Sequence, residues 1–317
     1  MKVYITRRIP EEAISFLKEQ GVEVDIHEEE TAPDRNTLLM KGQQVDAILC
    51  LLSDSIDREF LDHARNLKVV ANFAVGYNNI DVNYARQKGI AVTNTPDVLT
   101  DATADLTWAL ILSVTRRIVE ADNFVRAGKF EGWGPLMMLG TELSGKTLGI
   151  VGAGRIGQAV GKRAVGFSIN ILYADNSRKG GFEQVTGAQK ADLADVFSGS
   201  DILTFHCPLK PETRHLINED TINKVKPGAY IINTSRGPVI DEGVLVKALK
   251  EGYLSGAGLD VYENEPELHP GLAELSNVVL LPHIGSATHQ TRTDMAMIAA
   301  RNIVAVLNGE RPLTPVN

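Results

Sequence analysis

The sequence predicts an α/β protein built from two doubly wound parallel-sheet domains, and three observations carry that reading. Short apolar runs alternate with amphipathic stretches over residues 1–99, and the same rhythm resumes from 145 to about 287. A long apolar helix pattern separates the two blocks. Only the second block opens on a glycine-rich turn, G-x-G-x-x-G at Gly152, Gly154 and Gly157. At 317 residues, each block is long enough to bury its own core.

In the first block the strand candidates are Lys2–Thr6, Val22–His27, Asp46–Leu51, Lys68–Phe73 and Ile90–Val92. Helical patterns lie between them near 10–20, 34–42, 57–64 and 81–88. Such alternation predicts a parallel sheet covered on both faces. No glycine-rich loop follows the first strand, so a dinucleotide is not expected here. The loops Leu52-Ser53 and Ala74-Val75-Gly76-Tyr77 leave strand carboxyl ends, where α/β sheets build ligand sites.

Pro96 to Asp101 interrupts the rhythm, and one long helix is expected over 101–127, with Thr100 or Asp101 capping its first turn. Leu106 to Val114 is apolar almost all round, which calls for cover on more than one side, between domains or between subunits. Residues 128–144 read as irregular. Their apolar Trp133, Pro135, Met137 and Met138 suit either a partner subunit or a loop folded onto its own core.

The second block opens on a strand, Leu148–Val151, followed by the glycine turn, a helix over Arg155–Phe167, a strand over Ile169–Tyr173, and Asp175. That succession is a Rossmann dinucleotide-binding unit. Gly152 permits the tight turn, Gly154 lets backbone approach a pyrophosphate, and Gly157 lets helix pack on strand. The helix N-terminus aims N–H groups at the phosphates. Asp175 can accept hydrogen bonds from both ribose hydroxyls, and its charge repels a 2′-phosphate. Later strands are expected at Asp201–Phe205, Ala229–Asn233, Gly256–Leu259 and Val278–Leu281, with a final helix over 288–307 closed by Asn308-Gly309 and Pro312.

Composition narrows the function. The net charge of −8 argues against general nucleic-acid binding and against an anionic membrane surface. An anionic substrate would need a local arginine. Two cysteines, Cys50 and Cys207, give neither a disulfide framework nor zinc spacing, which points to a reducing cytoplasm. The opening MKVYITRR does not read as a signal peptide, and the apolar run Leu106–Thr115 is about half the length of a membrane span. No metal is expected.

Three candidates for chemistry follow strand ends in the second block: Arg236 in NTSRGPVID, Glu265 in DVYENEPE and His283 in LPHIGSAT. Together they suffice for carbonyl reduction beside a nicotinamide. Arginine holds a carboxylate bidentately and polarises the adjacent carbonyl. Histidine gives a proton to the developing alkoxide, and the carboxylate orients the imidazole and favours its protonated form. Singly each is weak: Glu263 and Glu267 flank Glu265, and His206 also follows a strand.

GAGRIG, HCPL, NTSRGPVIDEGVLVKAL, GAGLDVYENEP and LPHIGSAT closely resemble the D-isomer-specific 2-hydroxyacid dehydrogenases, and the likeness runs from the first strand to the last helix. AVGYNNID and PDVLTDATADLTWALILSVTRR are most similar to the glyoxylate/hydroxypyruvate reductase branch. The resemblance implies catalytic roles for Arg236, Glu265 and His283. It implies substrate contacts at Leu52, Val75, Gly76, Arg236 and His283, with backbone N–H groups at Val75-Gly76 taking the substrate carboxylate. Cofactor contacts are implied at Thr103, Gly152, Gly154, Arg155, Ile156, Gly157, Asp175, Cys207, Pro208, Thr213, Thr234, Ser235, Arg236, Asp260, His283 and Gly285.

It further implies a homodimer built on the cofactor domain, and two interleaved domains. These are a flavodoxin-like substrate domain, residues 1–99 and 288–317, and a Rossmann domain, residues 100–287. Asn78 departs from the family's usual aspartate in G-Y-D, while Asp81 remains. Asp175-Asn176 stands where NADPH-preferring reductases tend to have Ser-Arg, so NAD is the expected cofactor and NADH the preferred form. Arg178 and Lys179, which follow, are the cations a 2′-phosphate would use.

The expected activity is reduction of glyoxylate or hydroxypyruvate to the 2-hydroxy acid. D-Lactate and 3-phosphoglycerate dehydrogenases are the alternatives within the chemistry. A chain ending after one terminal helix leaves no room for the regulatory domain many of the latter carry, and a phosphorylated substrate would want more cations near Leu52 or Gly76. The alternative from another class is a dinucleotide-sensing, corepressor-like binding protein, which usually carries longer tails.

Overall fold

Five strands form the first sheet, four of them mostly buried and the edge strand β2 half-exposed: β1 Lys2–Ile5, β2 Glu23–Ile26, β3 Ala47–Cys50, β4 Val69–Asn72 and β5 Ala91–Thr93. The computed structural model describes all 317 residues, Met1–Asn317. All five strands are parallel, in the order β2-β1-β3-β4-β5. That order is the flavodoxin-like one. Between them run α1 Glu11–Glu19, α2 Arg35–Gly42, α3 Arg58–His63 and α4 Val82–Gln87. Three of these helices start for one local reason. Asp34, Asp57 and Asp81 each sit one residue before a helix and accept the N–H of Thr37, Phe60 and Tyr84.

The second unit begins with α5 Thr100–Thr115 and α6 Ile118–Arg126. It continues through β6 Thr147–Val151, α7 Arg155–Ala164, β7 Asn170–Ala174, α8 Gly180–Thr186, β8 Gln189–Lys190 and α9 Leu193–Gly199. β9 Ile202–Phe205, β10 Tyr230–Asn233, α10 Glu242–Lys250, β11 Gly256–Leu259 and β12 Val278–Leu280 complete it. The seven-stranded sheet is parallel throughout, in the order β12-β11-β10-β9-β6-β7-β8. The chain starts at β6, winds outward to β8, then returns to β9 on the other side. The carboxyl ends of β6 and β9 therefore flank the switch point, where open α/β sheets bind ligands.

The last helix, α11 His289–Leu307, packs on α1 and on β3, β4 and β5. The residues after it pair with β5: Val316 N–H donates to Val92 O, and Val92 N–H donates to Asn317 Oδ1 at 2.8 Å. Residues 286–317 thus form one compact unit with 1–99, and Thr100–Gly285 form the other. No helix is long and apolar enough to cross a membrane.

The single helix expected over 101–127 is corrected to two. Arg117 adopts a left-handed conformation, φ 54°, between α5 and α6. The Thr115 carbonyl at the end of α5 accepts the Thr141 N–H at 2.8 Å, and Gly140 packs so closely that a Cβ there would collide with the Thr115 oxygen. A returning loop caps the helix, so nothing in the local sequence marks the break. α5 packs on α7 and on β10, β11 and β12 of its own unit, which buries Trp108, Leu110, Ile111 and Val114, while Leu106 and Leu112 stay half-buried and Ala109 exposed. The loop after α6 is not folded onto a core of its own: Trp133 is 85% exposed and Leu136 82%.

Candidate active site

The turn after β6 is shaped by close approaches. Gly152 has φ 93°, and a Cβ on it would lie 2.8 Å from the Cys207 nitrogen at the end of β9. A Cβ on Gly157 would collide with the Gly152 carbonyl oxygen, so helix and strand touch there. Gly154 faces open space, with nothing within 4 Å of its Cβ position. No side chain caps α7, whose N-cap is Gly154. An open backbone surface at an uncapped helix N-terminus fits a pyrophosphate.

Asp175 follows β7. Its Oδ1 accepts the Ser177 N–H at 3.0 Å and meets Lys179 Nζ at 3.1 Å. Burial pushes the carboxyl's pKa up, but the Ser177 N–H and the Lys179 ammonium outweigh it and hold the group below its ordinary value. Arg178 turns the other way, donating to Glu183 Oε2 at 2.8 Å, and Glu183 Oε1 accepts the Tyr173 hydroxyl. Both cations after Asp175 are therefore engaged by carboxylates.

The sequence-predicted trio comes together beyond β10, β11 and β12. Asn233, the last residue of β10, shapes the loop bearing Arg236: its Oδ1 accepts the Ser235 N–H and hydroxyl, and its Nδ2 donates to Arg236 O at 2.9 Å. A Cβ at Gly237 would land on the Tyr262 carbonyl, so the Arg236 segment lies against the segment leading to Glu265. Burial pushes the Arg236 guanidinium's pKa down, and the Glu265 charge opposes that.

Glu265 Oε1 accepts the Tyr262 N–H at 3.0 Å, and Oε2 lies 2.8 Å from His283 Nδ1. Burial raises the Glu265 pKa, yet the His283 bond and charge, the Tyr262 N–H and Arg236 outweigh it and leave it lowered. An ionised carboxylate accepts only, so Nδ1 carries the donated proton and Nε2 is free to face a reactant. Distance also separates the neighbouring acids. Glu263 instead faces His215 Nε2 at 2.6 Å and the Glu242 N–H.

His283 is held in a left-handed conformation, φ 54°. Such a backbone costs a non-glycine residue about 1–2 kcal/mol. Asp260 offsets it: its buried carboxylate accepts the Ile284 N–H at 2.7 Å and the Gly285 N–H at 2.8 Å. Hydrogen bonds to charged groups contribute about 1.5–3 kcal/mol each, enough to fix the turn. Tyr262 adds a second tie, its hydroxyl donating to Leu281 O at 2.8 Å. The arrangement can hold an anion at Arg236 and deliver a proton from His283.

Residues 108–285 match the family model described as the NAD binding domain of D-isomer specific 2-hydroxyacid dehydrogenases, more than half of the chain. The chain belongs to that dehydrogenase family. It is 52% identical to a glyoxylate reductase of Thermococcus litoralis, covering 100% of this chain and 96% of that protein. Among solved structures, it is similar to a protein from Thermus thermophilus, with a TM-score of 0.94 and 43% identity, covering 100% of both chains. It also resembles an NADPH-dependent glyoxylate/hydroxypyruvate reductase from Sinorhizobium meliloti in complex with NADP and malonate. That match has a TM-score of 0.88 and 34% identity, and covers 99% of this chain and 96% of the other.

Other residues implied by the dehydrogenase resemblance serve the scaffold in visible ways. The Thr103 carbonyl accepts the Thr107 hydroxyl, which also meets Thr234 Oγ1 at 3.0 Å, tying α5 to the loop after β10. Thr213 bonds Pro208 O and accepts the Lys210 N–H, so it staples the loop after Cys207. Arg155 and Ile156 open α7. His206, the rival histidine, is set aside: its Nε2 meets Thr204 at 2.9 Å, and burial pushes its pKa down to about 3.

In the first unit, Leu52 follows β3, and Val75 and Gly76 follow β4. Sequence reasoning missed the polar side chains that shape these loops and those of the dehydrogenase trio: Asn72, Asn79 and Asn94 in one unit, Asn233 and Tyr262 in the other. Asn72 and Asn233 each end a strand, and an amide at a strand's carboxyl end is the signal that would have found them.

Proposed function

We propose that the protein reduces a small 2-oxo acid, glyoxylate or hydroxypyruvate, to the 2-hydroxy acid, with NADH as hydride donor. The observation that carries the reading is the 2.8 Å contact between Glu265 and His283 in the same unit as Arg236 and an open glycine turn. The names of the glyoxylate reductase relatives support the substrate class.

Gly152, Gly154 and Gly157 with the α7 N-terminus hold the pyrophosphate, and Asp175 holds the adenosine ribose. A bound nicotinamide supplies the hydride. Arg236 takes the substrate carboxylate and polarises the adjacent carbonyl. As the carbonyl oxygen gains charge, His283 Nε2 gives it a proton, and Glu265 stabilises the imidazolium until then. One 2-oxo acid, one NADH and one proton give one 2-hydroxy acid and one NAD⁺. The preference for NADH is supported by the ionised Asp175, which repels a 2′-phosphate, and by Arg178 being drawn off to Glu183.

A homodimer is part of the reading. Ile118, Val119, Val125, Phe130, Trp133, Leu136 and Leu139 are all exposed on α6 and the loop after it, a stretch of apolar surface that calls for a partner. The two cysteines, buried and free, support a reducing cytoplasmic setting. The test is NADH oxidation by purified protein with and without glyoxylate: oxidation that depends on the acid supports the reading, and binding of NADH without turnover of any 2-oxo acid overturns it.

A further inference from the structure

We propose that Asn72 and Asn94 are positioning residues that orient the backbone N–H groups of Val75, Gly76 and Tyr77 toward the carboxylate of the substrate. The proposal rests on the 2-oxo acid reading above and identifies what makes this loop able to serve it.

Three successive carbonyls of the loop after β4 are pinned. Ala74 O accepts the Thr95 N–H at 2.9 Å, Val75 O accepts Asn94 Nδ2 at 2.8 Å, and Gly76 O accepts Asn72 Nδ2 at 2.7 Å. The peptide units are planar and trans, since the one cis bond of the chain lies at Glu265-Pro266. In a trans unit the N–H points opposite to the carbonyl. Fixing these carbonyls therefore fixes the N–H vectors of Val75, Gly76 and Tyr77 away from Thr95, Asn94 and Asn72. Those three N–H groups donate to no backbone carbonyl. Successive N–H groups held this way form a concave anion site, and fixed dipoles need no reorganisation when the anion arrives.

A primary amide suits the task because it donates and accepts at once. Asn72 is fully buried at the end of β4, and its Oδ1 accepts the Cys50 thiol at 3.4 Å and Asn79 Nδ2 at 3.3 Å. Asn79 Nδ2 also reaches the carbonyls of Leu51 and Asp54, on either side of Leu52. One chain of amides thus ties the Leu52 loop to the Gly76 loop, in a unit that carries none of the proton-transfer residues.

The test compares the wild-type holoenzyme with Asn94→Leu, which keeps the shape and removes the donor, using glyoxylate and the carboxylate-free glycolaldehyde. KM for glyoxylate rises by at least ~10-fold, the ratio of kcat/KM for glyoxylate over glycolaldehyde falls by at least ~10-fold, and Kd for NADH stays within ~2-fold, since about 1.4 kcal/mol of lost orientation is tenfold. An unchanged ratio, or equal loss on both substrates, overturns the proposal while leaving the reaction intact. A wild-type protein that reduces no 2-oxo acid overturns the reaction itself, and the proposal with it. If Asn94→Leu does not fold, amide NMR of the wild-type holoenzyme decides: oxamate shifts the Gly76 and Tyr77 N–H resonances, and their indifference to saturating oxamate overturns the proposal.

Discussion

His283 Nδ1 and Glu265 Oε2 stand 2.8 Å apart, and the histidine they orient is fixed by a left-handed backbone that Asp260 holds from behind. In the proposed reaction that contact leaves Nε2 as the proton donor, and it separates the two acids nearby: Glu265 meets the ring and Asp260 the turn.

Removing the ring removes the proton. His283→Ala lowers kcat by at least ~10²-fold, the contribution of a positioned general acid. Glu265→Gln keeps a hydrogen-bonding group but loses the charge that faces the ring, so kcat for reduction falls by about 10-fold or more. A kcat that coincides with wild type contradicts the pairing.

Arg236→Lys retains charge and loses the planar fork. It raises KM for the 2-oxo acid by about 10-fold or more while NADH binding, followed by fluorescence, persists. Loss of NADH binding instead would contradict the substrate role given to Arg236 and leave only its implied cofactor contact.

Asp260→Asn leaves at least one of the Ile284 and Gly285 N–H groups without its acceptor. An unsatisfied buried donor costs about 1–3 kcal/mol, so both Tm and kcat fall. A variant with lower kcat and unaltered Tm would show that the turn does not depend on this carboxylate.

In the proposed reading, the charge of Asp175 favours NADH over NADPH. Asp175→Ser removes the repulsion and releases Lys179, and it raises the ratio of kcat/KM for NADPH over NADH by about 10-fold or more. An unmoved ratio contradicts the role given to Asp175.

His206 makes stability depend on pH. Its folded pKa, about 3, lies below the unfolded value of about 6.5, so the unfolded chain binds more protons between them. This contribution is complete above the unfolded value and is lost as pH falls. Wild type therefore loses up to about 2 kcal/mol more than His206→Asn between pH 7 and 5. Parallel urea midpoints for the two proteins across that range would contradict it.

The sequence made the βα rhythm legible because strand and helix have different apolar periods, and the helical patterns near 34–42, 57–64 and 81–88 fall on α2, α3 and α4. The glycine turn and the trio were legible because each follows a strand end. The break at Arg117 was not, since the group that caps α5 arrives from Thr141, a contact no local pattern encodes. Pattern alone does not choose among Glu263, Glu265 and Glu267; the family resemblance points to Glu265, and it is Glu265 that meets His283 while Glu263 faces His215. Asn72 at least ends a strand, but that it and Asn94 hold carbonyls of the loop after β4 was not legible, because a carbonyl's direction leaves no trace in composition or period.

The most direct measurement is kcat/KM for glyoxylate, hydroxypyruvate, pyruvate and 3-phosphohydroxypyruvate, each with NADH and with NADPH. The highest value is expected for glyoxylate or hydroxypyruvate with NADH. Oxidation of neither cofactor with any of the four acids would contradict it.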